Sequence, residues 1–141
     1  MKRPGLPHIS ETLSFKLLKK VLSLIFFTHG IARIYYWSVE DFGDFLNTRG
    51  LVLGDLIAWI ITIGEILGGT FLMINYKVKY VVLFHFLIIV SGILLVHLKN
   101  GWFVVGHGRN GVEYSVLILM VLLFIYSRES GKKKLVKGME H

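Results

Sequence analysis

Apolar residues fall into four long runs, near 21–37, 56–76, 78–98 and 111–127, and the polar residues between them come in short clusters. Within each run the apolar positions are continuous rather than alternating. About 20 residues of helix cross ~30 Å of hydrocarbon, and the four runs reach or approach that length. The period-two polarity of a membrane β-barrel strand is missing. Lipid offers no partner for backbone N–H and C=O groups, so the pattern predicts an all-α fold, a bundle of four transmembrane helices forming one domain over residues 21–127.

The polar stretches add detail. Before the first run, residues 9–20 mix Leu13, Phe15, Leu17 and Leu18 with Lys16, Lys19 and Lys20. Such a segment lies at the membrane interface or extends the first helix, so residues 1–20 read as a cytoplasmic or interfacial segment. The first connection interleaves Glu40, Asp41 and Asp44 with Phe42, Phe45 and Leu46, the spacing of a short interfacial helix. Tyr35, Tyr36 and Trp37, with Trp102 and Phe103, form an aromatic belt at the same end. Residues 128–141 read as a flexible basic tail.

Charge sets the expected orientation. Five basic residues precede the first run, two (Lys77 and Lys79) lie between the second and third, and five follow the fourth; the other two connections hold only Arg49, Lys99 and Arg109. The positive-inside rule then predicts cytoplasmic N and C termini. A net charge of +7 needs no nucleic-acid partner on this reading, since topology and anionic lipid absorb it. The first run follows basic residues as a signal peptide would, but His29 and Arg33 lie inside it and no small-residue cleavage site follows, so it is expected to be retained.

Composition agrees with a membrane protein: 54% of residues are hydrophobic, with a mean hydropathy of +0.63 and only two prolines. The chain has no cysteine, so thiol exchange through its own side chains is excluded.

The chemistry must therefore come from the few polar residues inside the runs. Glu65 stands in the otherwise charge-free stretch 56–76, roughly 15 Å below the outer end of its helix at ~1.5 Å per residue. A carboxylate at that depth persists only when protein, water or a cation surrounds it. It is either ionised beside a cation or protonated and hydrogen-bonded. Gly68 and Gly69 share its face and allow another helix to approach closely. On the first helix His29 and Arg33 stack one turn apart with Gly30 beside them. Arg33 either snorkels to the interface or turns inward to a carboxylate. His85 suits a structural role against a neighbouring helix, whereas His97, about 120° away around the third helix, is better placed for a site. Glu113 opens the fourth helix, where the helix dipole favours negative charge.

Depth unites these residues: His29 and Glu65 near the midplane, Arg33, His97 and Glu113 in the outer half. The bundle can gather them in a polar pocket opening outward, with one guanidinium shared between two carboxylates. The histidines at 29, 85, 97 and 107 lie at scattered depths without a close pair, so no metal, haem or nucleotide site is expected.

At these residues the chain resembles the DoxX family of small four-helix bacterial membrane proteins. His29, Gly30 and Arg33 match the family's His-Gly and nearby basic residue in the first helix. Glu65, Gly68 and Gly69 match its Glu and paired glycines in the second. His97, Gly101, Trp102 and Phe103 match the end of the third, and Gly111, Glu113 and Tyr114 the start of the fourth. The resemblance extends from about Leu17 to Ser127. It implies a location in the bacterial inner membrane and a frequent link to redox chemistry, and adds Trp102 and Tyr114 to the candidate pocket residues. The chain carries Arg33 where lysine is frequent in the family, and arginine does not release its proton.

Two functions follow as expectations. In the first, the protein is a quinone-interacting subunit of a membrane oxidoreductase, with the polar residues beside the head group and a redox partner supplying electrons, since no electron-carrying centre is encoded. In the second it is a non-enzymatic scaffold or assembly subunit, bound to a protein partner or to further copies of itself, whose polar core fixes helix register. A small-solute transporter is a weaker third reading, because four helices without internal repeats offer a poor transport path.

Overall fold

The computed structural model describes residues 9–138, with side chains for residues 9–131. Among them the chain is wholly helical apart from its connections: α1 (Glu11–Tyr35), α2 (Val39–Thr48), α3 (Gly54–Met73), α4 (Val78–Gly92) and α5 (Glu113–Gly138). α4 does not stop at Gly92 but runs on through a π-turn, Ile93–His97, and a 3₁₀ turn, Leu98–Asn100. Among the described residues, three helices are long and apolar enough to cross a membrane: Gly54–Met73, Val78–Asn100 and Glu113–Gly131. α1 is long enough at 25 residues, but any membrane-length stretch of it takes in Lys19 and Lys20 together with Lys16 or Arg33.

Two helices extend beyond their apolar runs, the first as one of the two alternatives for residues 9–20. α1 begins ten residues before Val21, because Ser10 caps it: the Ser10 hydroxyl accepts a hydrogen bond from the Leu13 N–H at 3.2 Å, and Glu11 sits in the first turn where the dipole favours it. Residues 1–20 are thus no separate segment where they are described. At the other end, α5 continues past Ser127 to Gly138, and residues 139–141 of the expected tail lie outside the described residues. Lysine and glutamate are good helix formers, and basic residues suit a helix C-terminus. The short amphipathic helix expected in the first connection is α2, which buries Val39, Gly43 and Leu46 and exposes Glu40, Asp41 and Asp44.

α1 lies along α3, and two glycines set their distance. A Cβ at Gly30 would stand 2.7 Å from the Thr62 carbonyl oxygen, and one at Gly69 would stand 2.7 Å from the Ser23 carbonyl oxygen. Both are well inside van der Waals contact with backbone, so any larger residue would push the helices apart. Gly68 has a different neighbour: the space its side chain would fill holds the imidazole of His85 on α4. His85 is fully buried, stacked on Phe26 with ring centroids 3.8 Å apart, and its Nδ1 donates to the Val81 carbonyl at 2.8 Å. Leu22, Leu72, Val82, Leu122 and Ile125 form the main core around it. A smaller cluster of Val39, Leu46 and Ala58 seats α2 against α3 at the far end.

Candidate functional site

Glu65 is buried on the α3 face that meets α1, and Arg33 on α1 reaches it. The Arg33 Nη2 to Glu65 Oε2 distance is 2.5 Å, and Nη1 donates to the Thr62 hydroxyl at 3.2 Å. The guanidinium also lies 5.1 Å from the centre of the Phe42 ring on α2. Arg33 is therefore turned inward, its charge met by a carboxylate, a hydroxyl and an aromatic face. Thr62 was not among the residues singled out from the sequence, although its position one turn before Glu65 places it on the same face.

The ion pair stands between two cavities. Glu65 faces one of about 470 Å³, with His29 from α1, His97 from the π-turn of α4, Asn110 from the following loop, and Tyr114 and Ser115 from α5. Arg33 faces the other, about 350 Å³, whose walls come from α2, α3 and α4 and are almost wholly apolar, with Phe42, Phe45, Ile61 and Leu95 prominent. Two mainly apolar chambers, the first with several polar groups in its wall and called the polar chamber below, thus meet at a single guanidinium–carboxylate contact.

The polar chamber is built by local departures from regular helix. The π-turn adds a residue to one turn of α4 and so re-aims His97 relative to the helix below it, a distortion frequent at functional sites. His97 Nδ1 donates to the Asn110 carbonyl at 2.7 Å, which fixes the orientation of the ring. The loop from Gly101 to Val112 folds back on α5: the Gly111 N–H donates to the Phe103 carbonyl, Val112 to Gly101 and Glu113 to Trp102, each at 3.1 Å.

That fold-back removes two residues from the expected pocket. Glu113, at the start of α5, accepts a hydrogen bond from the Val104 N–H of the preceding loop at 2.9 Å and fixes that loop; among the described residues it forms no ion pair with Arg33. Trp102 is more than half exposed and gives the loop its carbonyl rather than lining the chamber with its ring. His29, Glu65, His97 and Tyr114 do line it, and Arg33 touches it through Glu65. Gly30 and Gly69 bring α1 and α3 close enough for the pair to form, whereas Gly68 accommodates His85. Asn110 and Ser115 gave no signal in the sequence, since a loop asparagine and a helical serine have many ordinary uses.

Chemically, the chamber presents a carboxylate, two imidazoles and a phenol around one space. These groups hold and pass protons and hydrogen-bond to oxygen atoms. Among the described residues, no three His, Asp or Glu side chains gather closely enough to hold a metal ion.

Comparison with known proteins gives one finding about ancestry. The sequence profile of the DoxX family matches residues 16–98, more than half of the chain, from within α1 to just past the π-turn, and so takes in Arg33, Glu65 and His97. No curated protein and no solved structure matches the chain.

Proposed function

The chain belongs to the DoxX family of membrane proteins, and on that basis we propose that it is a quinone-interacting subunit of a membrane oxidoreductase assembly. The single observation that carries this reading is the polar chamber of about 470 Å³ facing Glu65. Its size falls in the roughly 300–1,000 Å³ range of small-molecule sites, and its walls are mainly apolar with a few converging polar groups. Reducing a quinone to a quinol takes two electrons and two protons at its oxygens. His97, Tyr114 and Glu65 are the groups here that can hydrogen-bond those oxygens or carry protons to them. The electrons come from a redox partner, since the chain has no cysteine and no haem or flavin motif.

The same proposal includes the topology. α1 joins α3, α4 and α5 as a fourth span, with α2 at the outer interface, both termini cytoplasmic and the protein in the bacterial inner membrane. The excess of Lys and Arg at the end opposite α2 supports that orientation.

A second reading is a non-enzymatic scaffold, favoured by the way Arg33, Thr62 and Glu65 tie α1 to α3. One experiment separates the two. The protein is purified in mild detergent, the co-purifying lipids and proteins are identified by mass spectrometry, and added quinone is titrated against the wild type and Glu65→Gln. Quinone bound to the wild type and weakened in the variant is the expected result. Equal binding to both, or a stoichiometric partner with no quinone at all, would overturn the quinone reading in favour of the scaffold.

A further inference from the structure

At the opposite end of the bundle α1 begins, α3 turns into α4, and α5 continues past Ser127. A cavity of about 570 Å³ lies there, lined by four cations: Lys16, Lys19, Lys20 and Arg128. Two of them are fixed in place. Lys19 is only 5% exposed, donates to the Asn75 side-chain oxygen in the α3–α4 turn, and stands 3.8 Å from Glu129. Arg128 pairs with Glu11. Both lie over the Phe15 ring, at 5.4 Å and 5.1 Å from its centre, and that ring is in turn braced edge-on by Phe124 at 5.7 Å. Lys16 and Lys20 are exposed at the rim and form no ion pair among the described residues.

The charges do not balance. Among the described residues, four cations lie here with two carboxylates, Glu11 and Glu129. A neighbouring cavity of about 470 Å³, which shares Asn75 and has Glu129 in its wall, adds Lys77 and Lys79. The positive-inside rule accounts for basic residues near this end but is indifferent to where their side chains point. It requires neither a lysine folded into the bundle nor an ammonium and a guanidinium held against one aromatic ring. Such positioning lowers the entropy lost when an anion is gripped, and a guanidinium fork beside ammonium groups suits phosphate oxygens.

We propose that this cavity binds a phosphate group, carried by an anionic lipid headgroup or present as the free ion. The site is independent of the polar chamber and of whatever that chamber binds.

The test uses the full chain in a neutral detergent, with thermal unfolding followed while ligand is added. One arm adds phosphatidylglycerol against phosphatidylcholine. The other adds inorganic phosphate at ionic strength held constant with sodium chloride. A rise in Tm with phosphatidylglycerol alone assigns the site to lipid, and a rise with inorganic phosphate assigns it to the phosphate itself. Lys16→Gln with Lys20→Gln, both at exposed helical positions, weakens that binding by roughly 10- to 30-fold, the combined scale of two basic residues near an anionic surface. Lys99→Gln with Arg109→Gln removes the same charge from the far end and leaves it nearly unchanged. No Tm shift in the wild type with either ligand, or equal weakening in both double variants, would overturn the proposal.

Discussion

Arg33 and Arg128 have nearly the same partners in very different surroundings. Each meets one glutamate and one phenylalanine ring: Glu65 and Phe42 for Arg33, Glu11 and Phe15 for Arg128. The side chains of the first pair are 19% and 8% exposed, those of the second 35% and 79%. Two like contacts should then differ greatly in what their loss costs. Removing one partner of a buried pair strands a charge in a medium that cannot solvate it, whereas an exposed partner simply turns to water. The comparison teaches that contact geometry alone does not rank interactions here; depth does.

The largest expected effect comes from breaking the buried pair, and it should be asymmetric. Glu65→Leu leaves Arg33 with Thr62 and Phe42 but no counter-charge, and a guanidinium cannot shed its proton. Arg33→Leu leaves Glu65, which can take up a proton and become neutral. Glu65→Leu is therefore expected to cost about 3–5 kcal/mol and Arg33→Leu less, about 1–3 kcal/mol. Thermal and denaturant unfolding of both variants in detergent checks the order. If Arg33→Leu proved the more damaging, the carboxylate would have some other cation or a fixed ionised role.

The pair can also be broken without touching either charge. Gly69→Leu places atoms against the Ser23 carbonyl and the Phe27 backbone, where no flexible side chain can yield. The helices must separate, and the Arg33–Glu65 contact lengthens with them. Overpacking of this kind costs about 1–3 kcal/mol. In a double-mutant cycle Gly69→Leu should add to Glu65→Leu by less than the sum of the two, because the first has already loosened what the second removes. Full additivity would show that helix spacing and pair formation are independent.

How much of this was legible beforehand depends on whether the cause was local. The apolar runs of α3, α4 and α5 announce themselves, because a helix exposed to lipid must be apolar along its whole length. The meeting of Arg33 and Glu65 followed from depth and charge, since each is intolerable there alone. The start of α1 was legible only as one of two alternatives: Ser10 and Glu11 are a good helix start, but the lysines that follow suit an interfacial segment equally well. The π-turn at Ile93–His97 left no trace, because an extra residue in an unbroken apolar stretch changes nothing in the pattern. Glu113 misled for the opposite reason. Its charge suggested Arg33, while the donor that it met is a backbone N–H whose position depends on how a glycine-rich loop folds.

Glu113 supplies an intermediate case between the two arginines: a half-buried carboxylate with a neutral backbone donor and, among the described residues, no paired cation. Glu113→Ala should cost about 1–2 kcal/mol, since the Val104 N–H loses its partner but lies near water. It should also free the loop that carries Asn110, so that His97 loses the acceptor that orients it. Hydrogen exchange at the Val104 amide measures this directly. A protected amide in the variant would mean that another group holds the loop.

The smallest effect belongs to the exposed pair, and it can be told from the buried one by salt. Glu11→Ala removes a carboxylate whose side chain is 79% exposed, and Arg128 keeps the Phe15 ring on which it rests. The expected loss is at most about 0.5–1 kcal/mol at low salt. At 1 M ionic strength the screening length falls to about 3 Å, so wild type and Glu11→Ala should converge. Glu65→Leu should stay just as damaging in the same buffer, because ions do not enter the bundle between Arg33 and Glu65. The measurement is the difference in unfolding free energy between each variant and wild type at both salt concentrations. A Glu65→Leu deficit that shrank with salt as the Glu11→Ala one does would place the Arg33–Glu65 pair in contact with bulk water, and the depth argument would fail for both.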